Sequence, residues 1–303
     1  MKAHSVLLAL FLLIGYTINI VAQVDRNLRF THLTNDNGLP TNTIYSLCQD
    51  FKGFIWIATA NGLCKYDGRS ISVYEVEPTK GERKKGGIIR HVFEDKRHRL
   101  WVITHKGVNL YNRNKDNFNF VSVDSLNNFS RVIYQDDKGK IYMGGSGAFI
   151  YNEQTSKFDP FYVNQDETIT AFITAITSDQ KGQMWFGRMY GGLICADVEN
   201  GKLTRYKHND HNINSLISNK VTSLFTDHHG RIWIGTEDKG ICYFDSSTNK
   251  FIRIEGFPQI CVRTFAEDAE GNIWIGSENG LYIYLSDENK FINYKQNYND
   301  KYS

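Results

Sequence analysis

The sequence predicts an all-β protein, a β-propeller of four-stranded antiparallel blades, and three observations predict it. All 5 Trp of the 303 residues stand in one local context, an aromatic flanked by apolar residues: GFIWIAT, HRLWVIT, GQMWFGR, GRIWIGT and GNIWIGS. With Tyr142 of GKIYMGG filling the long gap between Trp101 and Trp185, that context recurs six times at intervals of 41 to 48 residues. Propeller blades repeat at this period, whereas helical solenoid repeats are mostly shorter or carry helical periodicity. The 17 Tyr and 19 Phe set against 4 Pro also exclude a disordered chain.

Each repeat divides into four short strands. The first, A, is an apolar-alternating run ending in Asp, at Asp50, Asp95, Asp136, Asp179, Asp227 and Asp268. A turn follows that usually ends in Gly, with His98 replacing it in the second repeat; Asp opening and Gly closing a short turn is a hairpin signature. Strand B holds the Trp or Tyr142 between apolar neighbours. Side chains alternate between the two faces of a strand, so consecutive apolar positions mean that both faces are buried, as in a stacked blade. A Gly opens strand C, which carries an aromatic four places on at Tyr66, Tyr111, Tyr151, Phe244 and Tyr284, with Ala196 the exception. Strand D is the most polar, as an outer edge strand should be.

Ahead of the first strand A, NLRFTHL places Phe30 and Leu33 in the pattern of a strand D. The sequence thus has seven D strands and six each of A, B and C. A propeller closes by letting one terminus complete a blade begun by the other, so the plan expected is seven-bladed, with six repeats present and an N-terminal closing strand. Ser303 falls just before the seventh repeat's first strand would begin, so the chain is expected to be the start of a longer protein or a truncated product. A six-bladed ring with the first strand idle is the alternative.

Lys plus Arg is 35 and Asp plus Glu 33, a net charge of +2. Such a balance gives no broad basic surface for nucleic acid. The 5 Cys (Cys48, Cys64, Cys195, Cys242, Cys261) are odd in number with no C-x-x-C pair, so buried free thiols are expected rather than disulfides or structural zinc. Residues 1–22, charged at Lys2, apolar from Val6 to Ile14 and ending at Ala22, read as a secretory signal peptide, with a retained anchor as the alternative. No other segment is long enough to span a membrane. The propeller is therefore expected over 23–303, exported.

The copies DHHGRIWIGTEDKGICYFD, DAEGNIWIGSENGLYIY and DFKGFIWIATANGLCKYD resemble the two-component regulator propeller repeat, and the resemblance covers about residues 28 to 294. It implies a noncatalytic periplasmic sensor region of a hybrid two-component system, in a family many of whose members respond to breakdown products of complex carbohydrates. The implied partners are a small-molecule or oligosaccharide ligand and the remainder of a sensor kinase or a second copy of the chain. No cofactor or metal is implied.

Antiparallel order puts the D to A and B to C loops on one face, where variable loops favour ligand contact. The candidate ligand residues lie in B to C loops: His105, Lys106, Arg188, Tyr190, Glu237, Asp238, Glu278 and Asn279. Arg188 beside Tyr190 offers a forked donor and a stacking ring for an anionic or sugar ligand. Glu237, Asp238 and Glu278 in adjacent repeats keep open a second reading, an enzyme on the same scaffold such as a lyase or glycan-active enzyme, and a protein-interaction module is a third. The six repeated Asp sit in hairpin turns on a ring and are read as structural. His228 and His229 are read as exposed turn residues, GGSG at 144–147 as too incomplete for a phosphate loop, and KGERKK at 80–85 as a solvated basic loop.

Overall fold

Each of the six repeats forms one four-stranded antiparallel sheet with its strands in sequence order. The computed structural model describes residues 28, 30–76, 87–121, 123, 130–161, 169 and 171–295. The first blade is β1 (Ile44–Gln49), β2 (Ile55–Thr59), β3 (Gly62–Tyr66) and β4 (Ile71–Tyr74), and the second is β5 (Ile89–Glu94), β6 (Leu100–Thr104), β7 (Val108–Asn112) and β8 (Asn117–Val121). The third is β9 (Ser130–Gln135), β10 (Ile141–Gly145), β11 (Ala148–Asn152) and β12 (Lys157–Pro160). The fourth is β13 (Ile173–Ser178), β14 (Met184–Arg188), β15 (Gly192–Asp197) and β16 (Lys202–Tyr206). The fifth is β17 (Val221–Thr226), β18 (Ile232–Thr236), β19 (Ile241–Asp245) and β20 (Lys250–Arg253), and the sixth is β21 (Val262–Glu267), β22 (Ile273–Ser277), β23 (Gly280–Leu285) and β24 (Lys290–Tyr294). The innermost strands adjoin in the order β1, β5, β9, β13, β17, β21. The segment expected to be a signal peptide and the KGERKK loop lie outside the described residues.

The repeated Asp builds each hairpin from inside. In the first blade one carboxylate oxygen of Asp50 accepts the backbone N–H groups of Lys52 and Phe54, both at 3.0 Å, and the other accepts the Trp56 indole N–H at 3.0 Å. The indole bond recurs from Trp101 to Asp95 at 2.9 Å, Trp185 to Asp179 at 3.1 Å, Trp233 to Asp227 at 2.8 Å and Trp274 to Asp268 at 2.9 Å, and the Tyr142 hydroxyl donates to Asp136 at 3.2 Å. A buried indole N–H left without an acceptor is costly, so the Asp six places upstream lets the ring be fully enclosed. The turn's closing residue takes a left-handed backbone, which Gly adopts without strain and His98 adopts at φ 61°.

Blades stack through these rings. Trp56 meets Tyr111 of the second blade at 5.1 Å, Trp101 meets Tyr151 of the third at 4.8 Å, Trp185 meets Phe244 of the fifth at 4.9 Å, and Trp233 meets Tyr284 of the sixth at 5.5 Å. The two departures from the repeat's aromatic positions, Tyr142 in strand B and Ala196 in strand C, share the core between the third and fourth blades, where Phe161 fills in at 5.5 Å from Tyr142. Close approach also explains the Gly that follows the strand B core: a Cβ on Gly187 would lie 2.6 Å from Val221 Cγ1 of the next blade, and one on Gly235 would lie 2.7 Å from Val262 Cγ1.

The last residue of strand A clasps the preceding blade. The backbone N–H of Phe51 donates to Glu94 at 2.7 Å, that of Lys96 to Gln135 at 2.8 Å and that of His228 to Glu267 at 3.0 Å. At the two remaining junctions hydroxyls do the same work, Tyr134 with Ser178 at 2.8 Å and Thr226 to the Ser178 carbonyl at 2.7 Å. The five cysteines are free; Cys64, Cys195, Cys242 and Cys261 are buried in or beside strands. Burial pushes the Cys64 thiol up to about 11 and the Cys242 thiol up to about 12.

The sixth blade is less enclosed at its Trp. Trp274 is partly exposed and meets no aromatic ring among the described residues, whereas Trp56, Trp101, Trp185 and Trp233 are fully buried. The described residues ahead of β1 form no strand; a 3-10 turn at Asn35–Asn37, capped by Thr34, leads into the first blade. No helix among the described residues is long and apolar enough to cross a membrane.

Candidate functional site

Two regions share the face on which the A strands begin: the B to C loops, and the mouth of the axial cavity. The loops are short and closed from within. Thr59 Oγ1 donates to the Gly62 carbonyl at 2.7 Å and accepts from the Asn61 N–H at 3.0 Å, and Thr236 and Ser277 close theirs on Gly240 and Gly280, both at 2.8 Å. What such loops present is therefore fixed by the strands beneath them.

The loop residues expected from the sequence fall into three places. His105 and Lys106 are exposed on the second blade, and the Lys106 N–H donates to Thr104 Oγ1 at 3.1 Å. On the fourth, the Arg188 guanidinium turns back to donate to the Gly191 carbonyl, while Tyr190 is 77% exposed. Burial and the neighbouring Arg205 lower the Arg188 pKa. On the fifth, Lys220 lies 3.2 Å from Glu237 and 3.7 Å from Asp238, and Ser218 Oγ donates to Asp238 at 2.7 Å. Glu278 of the sixth accepts the Cys261 N–H at 3.2 Å, and the Asn279 N–H donates to Ser277 Oγ at 3.1 Å. Burial raises the Cys261 pKa, and the charges of Glu278, Glu237 and Asp238 raise it further against the opposing Arg263. The structure thus gathers these three carboxylates at one junction, with Arg188 and His105 on other blades.

His228 is engaged with Glu267 at 2.5 Å on the opposite face. Among the described residues no group of three or more His, Cys, Asp or Glu could hold a metal ion.

The axial cavity is not legible in the sequence. Its volume is about 890 Å³, and residues near the start of all six A strands line it. Every A strand has a register shift against strand B at its second residue: Tyr45, Arg90, Arg131, Thr174, Thr222 and Arg263. A bulge re-aims a side chain and increases local twist, and here it brings these six side chains to the cavity wall. Thr174 Oγ1 donates to the Val221 carbonyl at 2.6 Å and Thr222 Oγ1 to the Val262 carbonyl at 2.5 Å, each joining its blade to the next. Arg90, Arg131 and Arg263 take the same position in the second, third and sixth blades. Reading strand A as apolar alternation passes over the residue that breaks it.

The repeat and the fold are matched by known proteins. The family described as two component regulator propeller matches residues 38–61, 215–238 and 256–279. Each segment takes in the approach to strand A, the Asp turn and strand B with its Trp. Three of the chain's repeats match that family's model. Among solved structures, the chain is similar to the extracellular domain of the putative hybrid two component system BT3049 from B. thetaiotaomicron, at 23% identity and TM-score 0.75, with 89% of this chain and 37% of that one covered. It is also similar to the corresponding domain of BT4673 from the same organism, at 25% identity and TM-score 0.73, over 90% of this chain and 35% of that one. The chain therefore spans little more than a third of these relatives. A catalytically inactive variant of virginiamycin B lyase from Staphylococcus aureus, with quinupristin, is similar at 16% identity and TM-score 0.66, covering 88% of this chain and 87% of that one. At that identity the lyase shares the fold alone. No curated protein sequence matches the chain.

Proposed function

We propose that this chain is a noncatalytic ligand-sensing propeller of a two-component signalling system, exported to the periplasm behind a signal peptide at 1–22 and read by the remainder of a sensor kinase or by a second copy. The observation that carries the reading is the match of the propeller repeats, supported by the likeness to extracellular domains of hybrid two component systems. The ligand is a carbohydrate-derived small molecule or oligosaccharide held on the loop face by residues drawn from His105, Lys106, Arg188, Tyr190, Glu237, Asp238, Glu278 and Asn279.

The propeller follows a seven-bladed plan closed by the N-terminal segment. Support comes from a repeated contact between outer strands. Tyr74 of the first blade meets Phe118 of the second edge-on at 6.1 Å, and Tyr206 of the fourth meets Phe251 of the fifth edge-on at 5.3 Å. Tyr294 of the sixth blade meets Phe30 edge-on at 5.7 Å. Phe30 thus stands to the sixth blade as an outer strand of a following blade stands to its predecessor.

An enzymatic reading rests on the lyase likeness and on the carboxylates at one junction. Those carboxylates are occupied, by Lys220, Ser218 and the Cys261 backbone, which favours sensing. The test is a thermal-shift screen of the chain against oligosaccharides from polysaccharide digests. A hit whose shift is lost in Arg188→Ala or Tyr190→Ala, and which is recovered chemically unchanged, is expected. Consumption of the hit, abolished by Glu237→Gln or Glu278→Gln, would establish the enzyme instead.

A further inference from the structure

Three guanidinium groups from three blades face one cavity, and its lining contains no carboxylate. Arg131 and Arg263 make no ion pair among the described residues; Arg131 lies over the Phe172 ring at 5.8 Å, which fixes its direction. The groups feel one another across the axis. Burial, then Arg90 and Arg263, lowers the Arg131 pKa, yet a guanidinium remains protonated in proteins. The positive charge is therefore retained in a concave, partly desolvated space, where low-dielectric walls focus its potential.

Blade stacking does not demand arginine there. At the equivalent bulge, Thr174 and Thr222 complete the inter-blade bond with a hydroxyl. Arginine at three of the six positions instead adds like-charge repulsion and side-chain ordering. The wall also holds buried polar atoms without a hydrogen-bond partner, among them His91 Nδ1 and Ser223 Oγ.

We propose that the axial cavity is an anion-binding site in which Arg90, Arg131 and Arg263 bind a small multivalent oxyanion through forked N–H donors. The planar fork suits carboxylate, sulfate and phosphate oxygens, and the volume is in the range of pockets that enclose a small organic ligand. The site goes beyond the sensing reading and does not depend on it.

The experiment is calorimetric titration of the whole chain with citrate, inorganic sulfate and inorganic phosphate in low-salt buffer. Citrate is expected to bind one to one, and raising the salt should weaken it. The ranking of the three probes separates carboxylate from tetrahedral oxyanion recognition. The Arg131→Gln/Arg263→Gln variant should bind at least about tenfold more weakly, and Arg97→Gln, on an exposed turn of the opposite face, should bind as the wild type does. Should the glutamine variant fail to fold, Arg131→Lys/Arg263→Lys keeps the charge without the fork and should lie between the two. Failure of all three anions to bind, or undiminished binding in the folded double variant, would overturn the proposal. Oligosaccharide binding at the loop face would survive either result, so the sensing reading stands or falls separately.

Discussion

Phe30 meets Tyr294 edge-on, with ring centroids 5.7 Å apart and planes at 68°, although the two lie near opposite ends of the described chain. The contact ties the segment before the first blade to the outer strand of the sixth. Aromatic pairs of this geometry are worth about 0.5–1.5 kcal/mol beyond their burial. A double-mutant cycle with Phe30→Ala and Tyr294→Ala, read by urea unfolding, should give a coupling in that range. Strict additivity would detach the segment from the ring.

Trp233 and Trp274 occupy the same repeat position in unequal surroundings. Trp233 is enclosed by Tyr243 and Tyr284, and Trp274 is partly exposed. Trp233→Ala should cost about 3–5 kcal/mol, the range for a buried Trp, and Trp274→Ala distinctly less. Acrylamide quenching of a Trp274→Phe variant should show that the most accessible fluorescence has gone.

Gly187 tests the close approach of neighbouring blades. Gly187→Ala puts a methyl 2.6 Å from Val221 Cγ1 and should cost about 1–3 kcal/mol by overpacking. Adding Val221→Ala should recover part of that loss in thermal unfolding, which is the reverse of what two independent defects would do.

Acid should loosen the turns first. Burial raises the Asp50 pKa, but donation from Trp56, Arg113 and the Phe54 and Lys52 N–H groups outweighs it, leaving the carboxyl below its ordinary value; Asp268 behaves alike with Trp274 and Asn272. A carboxyl depressed on folding contributes stability that is complete above the unfolded pKa, about 4, and is lost as pH falls through the lower folded value. The urea midpoint should therefore be insensitive to these groups above about pH 5 and fall below about pH 4. Asp50→Asn should be less stable at neutral pH and show a shallower acid slope.

The parts of this fold that were legible in the sequence are those that local physics dictates. An Asp, a turn Gly and a Trp six places on make a hairpin with its own hydrogen bonds, so Asp227, Gly230 and Trp233 announce a blade wherever they recur. The candidate site was legible only as a face. That Lys220 would occupy Glu237 and Asp238, or that Arg188 would turn to Gly191, depends on neighbouring loops that periodicity does not place. Arg90, Arg131 and Arg263 were hidden for a different reason. A one-residue register shift between strands A and B carries them to the axis, and pairing register is a property of two strands at once.

The central claim, recognition without turnover, is tested most directly by following the mass of a bound oligosaccharide during prolonged incubation with excess ligand. The protein should be stabilised, the ligand should saturate at a fixed ratio to the chain, and all of it should be recovered with its mass unchanged. Accumulation of a shorter or unsaturated product in excess over the protein, lost on substituting Glu237 or Glu278, would contradict it.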